Sequence, residues 1–465
     1  MKKGPTTYTT IREIDIDLDI DVFLLNSRVF TATDLSLIDK HHKSEKGKKY
    51  LCITIEIHLD DFESVFDGAA YARPRLLIIL GILTFLTQEL FTPFEFYNNS
   101  TMVGDIKRGK QNKFKFNKSN YLSDFNKIVA FTQSQNENEK RLFYSLVDRY
   151  RKALYLEKES EENMIHDDEV LLSHFHILEL LSTKYNTKQK QLATQSIKQF
   201  SESILRDIYL LEGNPLQSEQ NSKSKLIESI FISEQPVASK IMFMFQEQGI
   251  LTHRLKAFIS DLVKDRNSVA HGRQVYQDRV IFPVPPFFPL IRNREYSFEM
   301  LRVLSGRTIS LFLELDNLYE EWTEYEDNLL PSIDELNDFI KEKRFEKISL
   351  EDFYAGTDND ITPFTVAYYL LSKNLKVESA IPVIANIVLN YREIEEEITQ
   401  LVLSVILIVD NVKDELKQKC IEIIKLSSEK RWLPDSKMRD VLYYLEYLGH
   451  EPKTLRDMIT KREIR

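Results

Sequence analysis

Residues 250–273 read ILTHRLKAFISDLVKDRNSVAHGR. Up to Lys264 the stretch has the apolar spacing of a helix, and it ends with an arginine, an asparagine and a histidine close together. The same helical spacing recurs on both sides, over 142–155, 169–181, 193–211, 226–245 and 296–322. About five antiparallel helices with short connections form an all-α bundle. Within this region, residues 213–225 (GNPLQSEQNSKSK) have the composition of a loop.

The chain has 465 residues, enough for about two or three domains. We predict a mainly α fold in three parts. These parts are an N-terminal mixed α/β domain at 1–140, the central helical bundle at 141–330, and a C-terminal helical domain at 345–465. In the last part, residues 401–409 (LVLSVILIV) are apolar on nearly every side, which predicts a central helix of that domain.

The N-terminal part carries the strand patterns. Apolar residues alternate with aspartate over 14–22 (IDIDLDIDV), which indicates a strand with one apolar and one solvated face. A calcium-binding loop is the alternative for this acidic run, but it lacks the central glycine and final glutamate of an EF-hand. Residues 49–58 (KYLCITIEIH) are rich in β-branched side chains and predict a second strand. The apolar run 76–86 (LLIILGILTFL) is shorter than the ~20 residues that cross a bilayer, so we expect a buried helix or strand.

The net charge of −10 argues against a protein that coats nucleic acid along its whole surface. The chain as a whole is acidic, but residues 252–302 have more basic than acidic side chains, with nine Lys or Arg against five Asp or Glu. The two cysteines, Cys52 and Cys420, are far apart and outside any CxxC pair, which argues against a thiolate zinc site and fits a reducing compartment. The N-terminus lacks the apolar region of a signal peptide, so we expect a cytoplasmic protein that does not enter membranes.

Arg266, Asn267 and His271 are the candidate chemical residues. Arginine fits phosphate with a planar fork of donors, histidine exchanges a proton near neutral pH, and an asparagine amide can orient either one. Together they can hold a phosphodiester and move the proton of a neighbouring hydroxyl, with no metal or other cofactor. The structural alternative is capping, because cationic residues in the last turn before Gly272 are common at helix ends. A helix would place Asn267 and His271 on one face with Arg266 to the side, whereas a turn would let all three converge.

The pattern Arg-Asn-x-x-x-His followed by Gly resembles the signature of HEPN domains (higher eukaryotes and prokaryotes nucleotide-binding). The helical pattern over 147–320 is similar to the ApeA-like branch of that family. The resemblance implies a helical ribonuclease of anti-phage, abortive-infection defence. It also implies a homodimer or higher oligomer in which two such domains pair so that both motifs line one cleft. A phage or host protein as trigger is compatible with this role.

The resemblance implies cleavage of RNA by its own 2′-hydroxyl. In that chemistry His271 exchanges a proton with the attacking 2′-OH or the leaving 5′-oxygen, Arg266 stabilises charge on the phosphoryl oxygens, and Asn267 orients substrate or imidazole. The products are a 2′,3′-cyclic phosphate and a 5′-OH, and DNA is not cut because it lacks the 2′-OH. Lys264 and Arg273, from the basic surplus, are candidate contacts to the RNA backbone.

A second basic stretch, residues 107–118 (KRGKQNKFKFNK), holds six basic residues and no acid. Lys113 and Lys115 are candidate RNA contacts, because aromatics interleaved with lysine can stack on bases. The interpretation that we favour is a hairpin arm whose Phe114 and Phe116 face the domain.

The alternative function is a non-catalytic scaffold that binds RNA or a protein and uses the motif structurally. A catalytic Arg266 and His271 would face a common cleft, whereas a structural pair would be buried or bonded to local carbonyls. Two further histidines, His174 and His176, lie in a predicted helix, where we expect a polar helix edge.

Overall fold

The computed structural model describes residues 5–38, 44–57, 65–96, 98–107, 112–134, 136–161, 165–232, 235–270, 297–390, 399–430 and 437–464. The described residues form two compact units. The first comprises those up to 250 together with 297–324, and the second comprises 251–270 together with those from 325 onward. The three-part division at 1–140, 141–330 and 345–465 stays a prediction.

The first unit begins with a seven-stranded antiparallel sheet in the order β5-β1-β4-β3-β2-β6-β7. Its strands are β1 (Thr6–Ile14), β2 (Leu18–Leu24), β3 (Ser27–Ala32), β4 (Lys49–Ile57), β5 (Asn98–Val103), β6 (Lys113–Phe116) and β7 (Ser119–Asn120). The strand predicted at 49–58 is confirmed as β4, whose β-branched residues pair with strands on both sides.

The single strand predicted over 14–22 is wrong. The chain leaves β1 at Ile14 and enters β2 at Leu18, and β4 and β3 separate these two strands in the sheet. The Leu18 N–H donates to the Ile16 carbonyl at 2.9 Å, which closes a tight turn between them. From Leu18 to Val22 the alternation holds, because Leu18, Ile20 and Val22 are buried on one face while the two aspartates between them are partly exposed.

A long helix, α1 (Val65–Thr87), packs against β4, β1 and β5. Its Gly81 permits close approach to a neighbouring helix, because a Cβ there would lie 2.9 Å from the carbonyl oxygen of Val147. The segment Asp67–Thr87 is long and apolar enough to cross a membrane, and 56% of it is buried inside the fold. The run 76–86 is therefore confirmed as a buried element, within a helix longer than the run itself.

The chain then becomes helical. The helices are α2 (Leu122–Ser134), α3 (Glu137–Ser160), α4 (Asp167–Ser182), α5 (Asn186–Ser203), α6 (Gly213–Phe231), α7 (Val237–Glu247), α8 (His253–Ala270), α9 (Phe298–Phe312) and α10 (Tyr319–Asp327). In the first unit α3, α4 and α9 pack on one another, α7 packs on α4, and α1 packs on α3.

The loop predicted at 213–225 is wrong, because this segment forms most of α6. Pro215 lies in the first turn, where backbone N–H groups have no partner within the helix and a missing donor costs little. The abundant polar side chains lie mostly on the solvent side, while Leu216 and Ser224 are buried.

The single helix predicted over 296–322 is also wrong. It is broken between α9 and α10, where Glu314 and Leu318 have φ angles of 57° and 61°. A residue in the left-handed region cannot continue a right-handed helix, and the apolar spacing of the sequence does not reveal such a position.

The second unit contains α8 and a series of later helices. These are α11 (Ile333–Lys341), α12 (Leu350–Ala355), α13 (Pro363–Leu371), α14 (Val377–Asn390), α15 (Thr399–Ile408), α16 (Asp414–Lys430), α17 (Met438–Tyr447) and α18 (Lys453–Thr460). Side chains from α11 to α18 share one apolar core. Buried residues of α15 lie in that core, which confirms the central helix predicted at 401–409. The mainly α fold class with a mixed α/β N-terminal part is confirmed.

Candidate functional site

Helix α8 carries the arginine and asparagine of the motif, and its sequence sets which face is buried. Leu255, Ile259 and Leu262 recur at helical spacing and are fully buried. Asp265 continues this row and is only 7% exposed, so its carboxylate lies on the buried side of the helix. The residues that follow, Arg266 and Asn267, are half-buried.

The beginning of α8 is fixed by Arg254. Its Nη1 donates to Asp360 Oδ2 at 2.7 Å, its Nη2 donates to the Asn359 carbonyl at 3.0 Å, and its Nε lies 3.5 Å from Glu335 Oε1. One arginine thus bonds α8 to the segment that precedes α13 and to α11. This anchoring restrains the helix that bears the motif within its own unit.

The end of α8 brings two motif residues together. Arg266 Nη1 donates to Asn267 Oδ1 at 3.1 Å. The helix continues to Ala270, so the turn alternative is wrong for residues 266–270. His271 and Arg273 lie outside the described residues, and the convergence of all three motif residues therefore stays a prediction.

Lys264 is exposed and lies three residues before Asn267, which places both on one face of α8. Its Nζ lies 2.6 Å from Asp261 Oδ1 in an i,i+3 ion pair. An exposed pair of this kind is worth at most about 1 kcal/mol, so a phosphate can replace the carboxylate at little cost. The position of Lys264 fits a backbone contact beside Asn267.

Lys113 and Lys115 lie on β6, in the other compact unit. Phe114 and Phe116 point the opposite way and are buried, so the hairpin-arm interpretation is confirmed and these rings are not available to stack on bases. Lys113 Nζ lies 2.7 Å from Asp19 Oδ1, whereas Lys115 is exposed.

One face of the same sheet has a cavity of about 470 Å³. Threonine hydroxyls line it, together with Arg28, Lys49 and Lys107. The guanidinium of Arg28 is already bound, because Nε and Nη2 each donate to Asp21 at 2.9 Å and Nη1 donates to the Lys107 carbonyl at 3.0 Å. This strand-to-strand ion pair makes the surface a weaker candidate for an anion site than the end of α8.

Sequence reasoning missed a buried polar group around His174. The ring is 1% exposed, and Nδ1 lies 2.9 Å from Ser305 Oγ of α9. Nε2 lies 3.9 Å from Glu157 Oε2, and Arg302 Nη1 lies 3.4 Å from the other oxygen of Glu157. Burial lowers the pKa of His174 below its ordinary value, although Glu157 acts in the opposite direction.

The expectation of a polar helix edge is therefore wrong for His174. It is confirmed for His176, whose side chain is 41% exposed and lies 4.0 Å from Glu179. The sequence gives no signal for the buried group, because Ser305 is 131 residues from His174. Only the packing of α9 against α4 brings them together.

Burial raises the pKa of the Cys52 and Cys420 thiols to about 12, so both are protonated at neutral pH. Within the described residues, no group of three or more His, Cys, Asp or Glu side chains has the arrangement of a metal site.

No protein-family model, curated protein or solved structure matches this chain.

Proposed function

We propose that the chain is a metal-independent endoribonuclease that cleaves RNA by attack of its own 2′-hydroxyl. The observation that carries the proposal is the Arg266–Asn267 pair at the end of α8. The pair is half-buried and stands in the sequence directly before Ser268-Val269-Ala270-His271-Gly272. An arginine held by an adjacent amide, close in sequence to an imidazole, supplies the groups that phosphodiester cleavage needs.

In the proposed reaction, His271 accepts the proton of the 2′-OH as O2′ attacks phosphorus. The bond from phosphorus to O5′ breaks, and the leaving oxygen takes a proton from a second imidazolium or from water. The products are a 2′,3′-cyclic phosphate and a 5′-OH, with no net redox change. Arg266 stabilises the charge that develops on the phosphoryl oxygens.

Asn267 is proposed as a positioning residue. Its Oδ1 accepts from Arg266, which fixes the orientation of the amide, and its NH2 group then supplies donors for a phosphate oxygen. Lys264 lies on the same face and is proposed to contact the RNA backbone, as is Arg273. Lys113 and Lys115 remain more distant proposals, because they belong to the other unit.

We further propose that two chains pair so that the ends of both α8 helices contribute to one cleft. One chain offers a single arginine and histidine in this motif, whereas a phosphate clamp with two proton transfers more readily uses two of each. A mixed dimer of one Arg266→Ala chain and one His271→Ala chain tests the shared site. A composite site predicts activity in the mixed dimer that neither homodimer has.

The proposed cytoplasmic location rests on the low cysteine content, which fits a reducing compartment. The role in abortive infection rests on the resemblance of the motif to HEPN ribonucleases, and a phage or host protein would then be the trigger. The experiment that tests the chemistry uses a short RNA and the same RNA with a single 2′-deoxynucleotide at the cleavage position. We expect a 2′,3′-cyclic phosphate end from the first and no cleavage at the modified position. Equal cleavage of both would contradict 2′-OH attack.

The second candidate is the non-catalytic scaffold. The hydrogen bond between Arg266 and Asn267 favours it, because a half-buried pair at a helix end also stabilises structure. Under this function, Arg266→Ala would lower the thermal stability of the protein and change no RNA. Under the ribonuclease proposal, the main effect of the substitution is on cleavage.

A further inference from the structure

Helices α5 and α6, with the π-helical turn Ile204–Ile208 after α5, form an antiparallel pair that we call the α5–α6 hairpin (residues 186–231). In the described part of the chain, the main contacts of α6 are with α5 and with this turn. α5 also contacts α7, where Gln189 Nε2 donates to the Ser239 carbonyl at 3.3 Å and Lys188 pairs with Glu247. The hairpin is thus held to its unit mainly at the start of α5.

The hairpin exposes an unusual share of apolar side chains. Of the seventeen large apolar residues that are exposed in the described chain, eight lie here and are between 45% and 78% exposed. They are Leu192, Phe200, Ile208, Tyr209, Leu210, Leu226, Ile230 and Phe231. Buried positions are few, and two of them are the serines Ser201 and Ser224. Apolar surface concentrated in this way marks an interaction site.

By position along the hairpin these residues fall into two sets. The set near the turn, which we call the tip patch, comprises Phe200, Ile208, Tyr209 and Leu210, and the set toward the other end, the base patch, comprises Leu192, Leu226, Ile230 and Phe231. At 1.5 Å per helical residue, the base patch lies roughly 20–27 Å along α6 from the tip. Between the patches, α5 presents lysine, glutamine and threonine side chains.

We propose that the hairpin pairs with the same hairpin of a second copy of this chain, tip to base, as an antiparallel four-helix bundle. A two-fold axis across the middle of the hairpin places each tip patch on the partner's base patch, so the contact is made twice. Two helices have no enclosed core, whereas four helices do. This interface is separate from the proposed ribonuclease activity, and it involves no residue of α8.

The exposed apolar area of the hairpin is large enough for an interface with a second copy of this chain. Eight large side chains with these exposures present on the order of 1,000 Å², compared with the about 800 Å² that each partner buries in a standard interface.

The charges near the tip favour a protein partner over a membrane surface. Glu202, Asp207 and Glu212 surround the tip along with Lys198 and Arg206, whereas segments that lie on membranes carry a basic polar face. The mixed charges give no such basic face.

The test uses size-exclusion chromatography with light scattering on the full chain. Leu210→Lys changes the tip, Ile230→Glu changes the base, and both are exposed positions where the fold tolerates a charge. We expect wild type at twice the mass of one chain, and we expect each single variant to fall toward the mass of one chain at a dilution where wild type is still a dimer. The double variant Leu210→Lys, Ile230→Glu is expected to regain the wild-type mass, because each lysine then meets a glutamate of the other copy.

Phe364→Lys, at an exposed phenylalanine of α13, is the matched control and is expected to keep the wild-type mass. Circular dichroism checks that every variant is folded. A monomeric wild type, or single variants that stay dimeric, would overturn the hairpin interface. A double variant that stays monomeric would overturn the tip-to-base arrangement. A monomeric wild type would also contradict the shared cleft at α8, whereas the other outcomes leave the expected effects of Arg266→Ala and His271→Ala on cleavage unchanged.

Discussion

Arg266 Nη1 donates a 3.1 Å hydrogen bond to the side-chain oxygen of Asn267, its neighbour in α8. Neighbouring helical side chains point about 100° apart, so this contact requires the guanidinium to bend toward the amide. The contact uses one of the five N–H donors of the guanidinium and fixes the plane of the amide. The pair therefore acts as one unit, and changes to either residue are expected to alter the other.

Arg266→Lys is expected to lower the rate of RNA cleavage by about 10²–10³-fold, which is typical for loss of a donor to a developing oxyanion. Lysine keeps the charge but loses the planar fork. Initial rates on a labelled RNA give the measurement, with Lys256→Arg, at an exposed lysine of α8 that has no proposed role, as the control that should stay near wild type. Near-normal cleavage by the lysine variant would show that Arg266 acts only as a positive charge.

Removal of divalent metal is expected to leave the cleavage rate unchanged within about two-fold, because the proposed proton transfers and charge stabilisation use only protein groups. The measurement compares rates in EDTA with rates in magnesium at matched ionic strength, since salt alone weakens RNA binding. Inhibition by EDTA that magnesium reverses would indicate a metal nuclease instead.

The buried His174 gives a pH prediction for stability. Its folded-state pKa lies below the ordinary value of 6.5, so the unfolded chain takes up the proton first as pH falls. Above about pH 6.5 this histidine does not affect the free energy of unfolding. As pH falls from there toward the folded-state pKa, the free energy of unfolding decreases. Between about pH 7.5 and about pH 5.5, we expect a larger decrease of Tm in wild type than in His174→Gln.

The half-exposed His176 provides the control for that experiment. His176→Gln should keep the wild-type decrease of Tm over the same pH interval. Equal decreases in wild type and His174→Gln would contradict this prediction and would show that Glu157 offsets the burial of the ring.

Gly81→Ala is expected to lower the free energy of unfolding by roughly 1–3 kcal/mol, the usual cost of overpacking. The added Cβ would lie 2.9 Å from the backbone oxygen of Val147, which cannot rotate away. Urea unfolding followed by circular dichroism measures the change. Gly68→Ala is the comparison, because the three atoms nearest its added Cβ belong to the side chain of Thr101 rather than to the backbone. A loss at Gly81 no larger than that at Gly68 would contradict close packing of α1 on α3.

The parts of the fold that sequence predicts are those whose pattern is local. The β-branched run of β4 and the all-round apolar α15 are of this kind, since burial on both sides leaves a continuous apolar signature. Polar composition misled the prediction at α6, because an exposed helix needs few apolar residues. The break between α9 and α10 depends on left-handed backbone at Glu314, which is set by tertiary packing rather than spacing.

In the candidate site, too, some features follow from the local sequence and others depend on tertiary contacts. The helix that carries Arg266 follows from apolar spacing, and the adjacency of Asn267 follows from the sequence itself. The anchoring of Arg254 to Asp360 does not follow from the sequence, because the two residues are 106 positions apart. The burial of Asp265 does not either, because a charged residue is rarely buried and its sequence neighbours do not reveal it.

The most direct test of the account is the rate of RNA cleavage by purified His271→Ala protein against wild type on the same RNA. The account predicts a decrease of roughly 10²–10⁴-fold, the usual contribution of a positioned acid or base, with an unchanged circular dichroism spectrum. Equal rates in the two proteins would contradict the central claim that the motif at the end of α8 is catalytic.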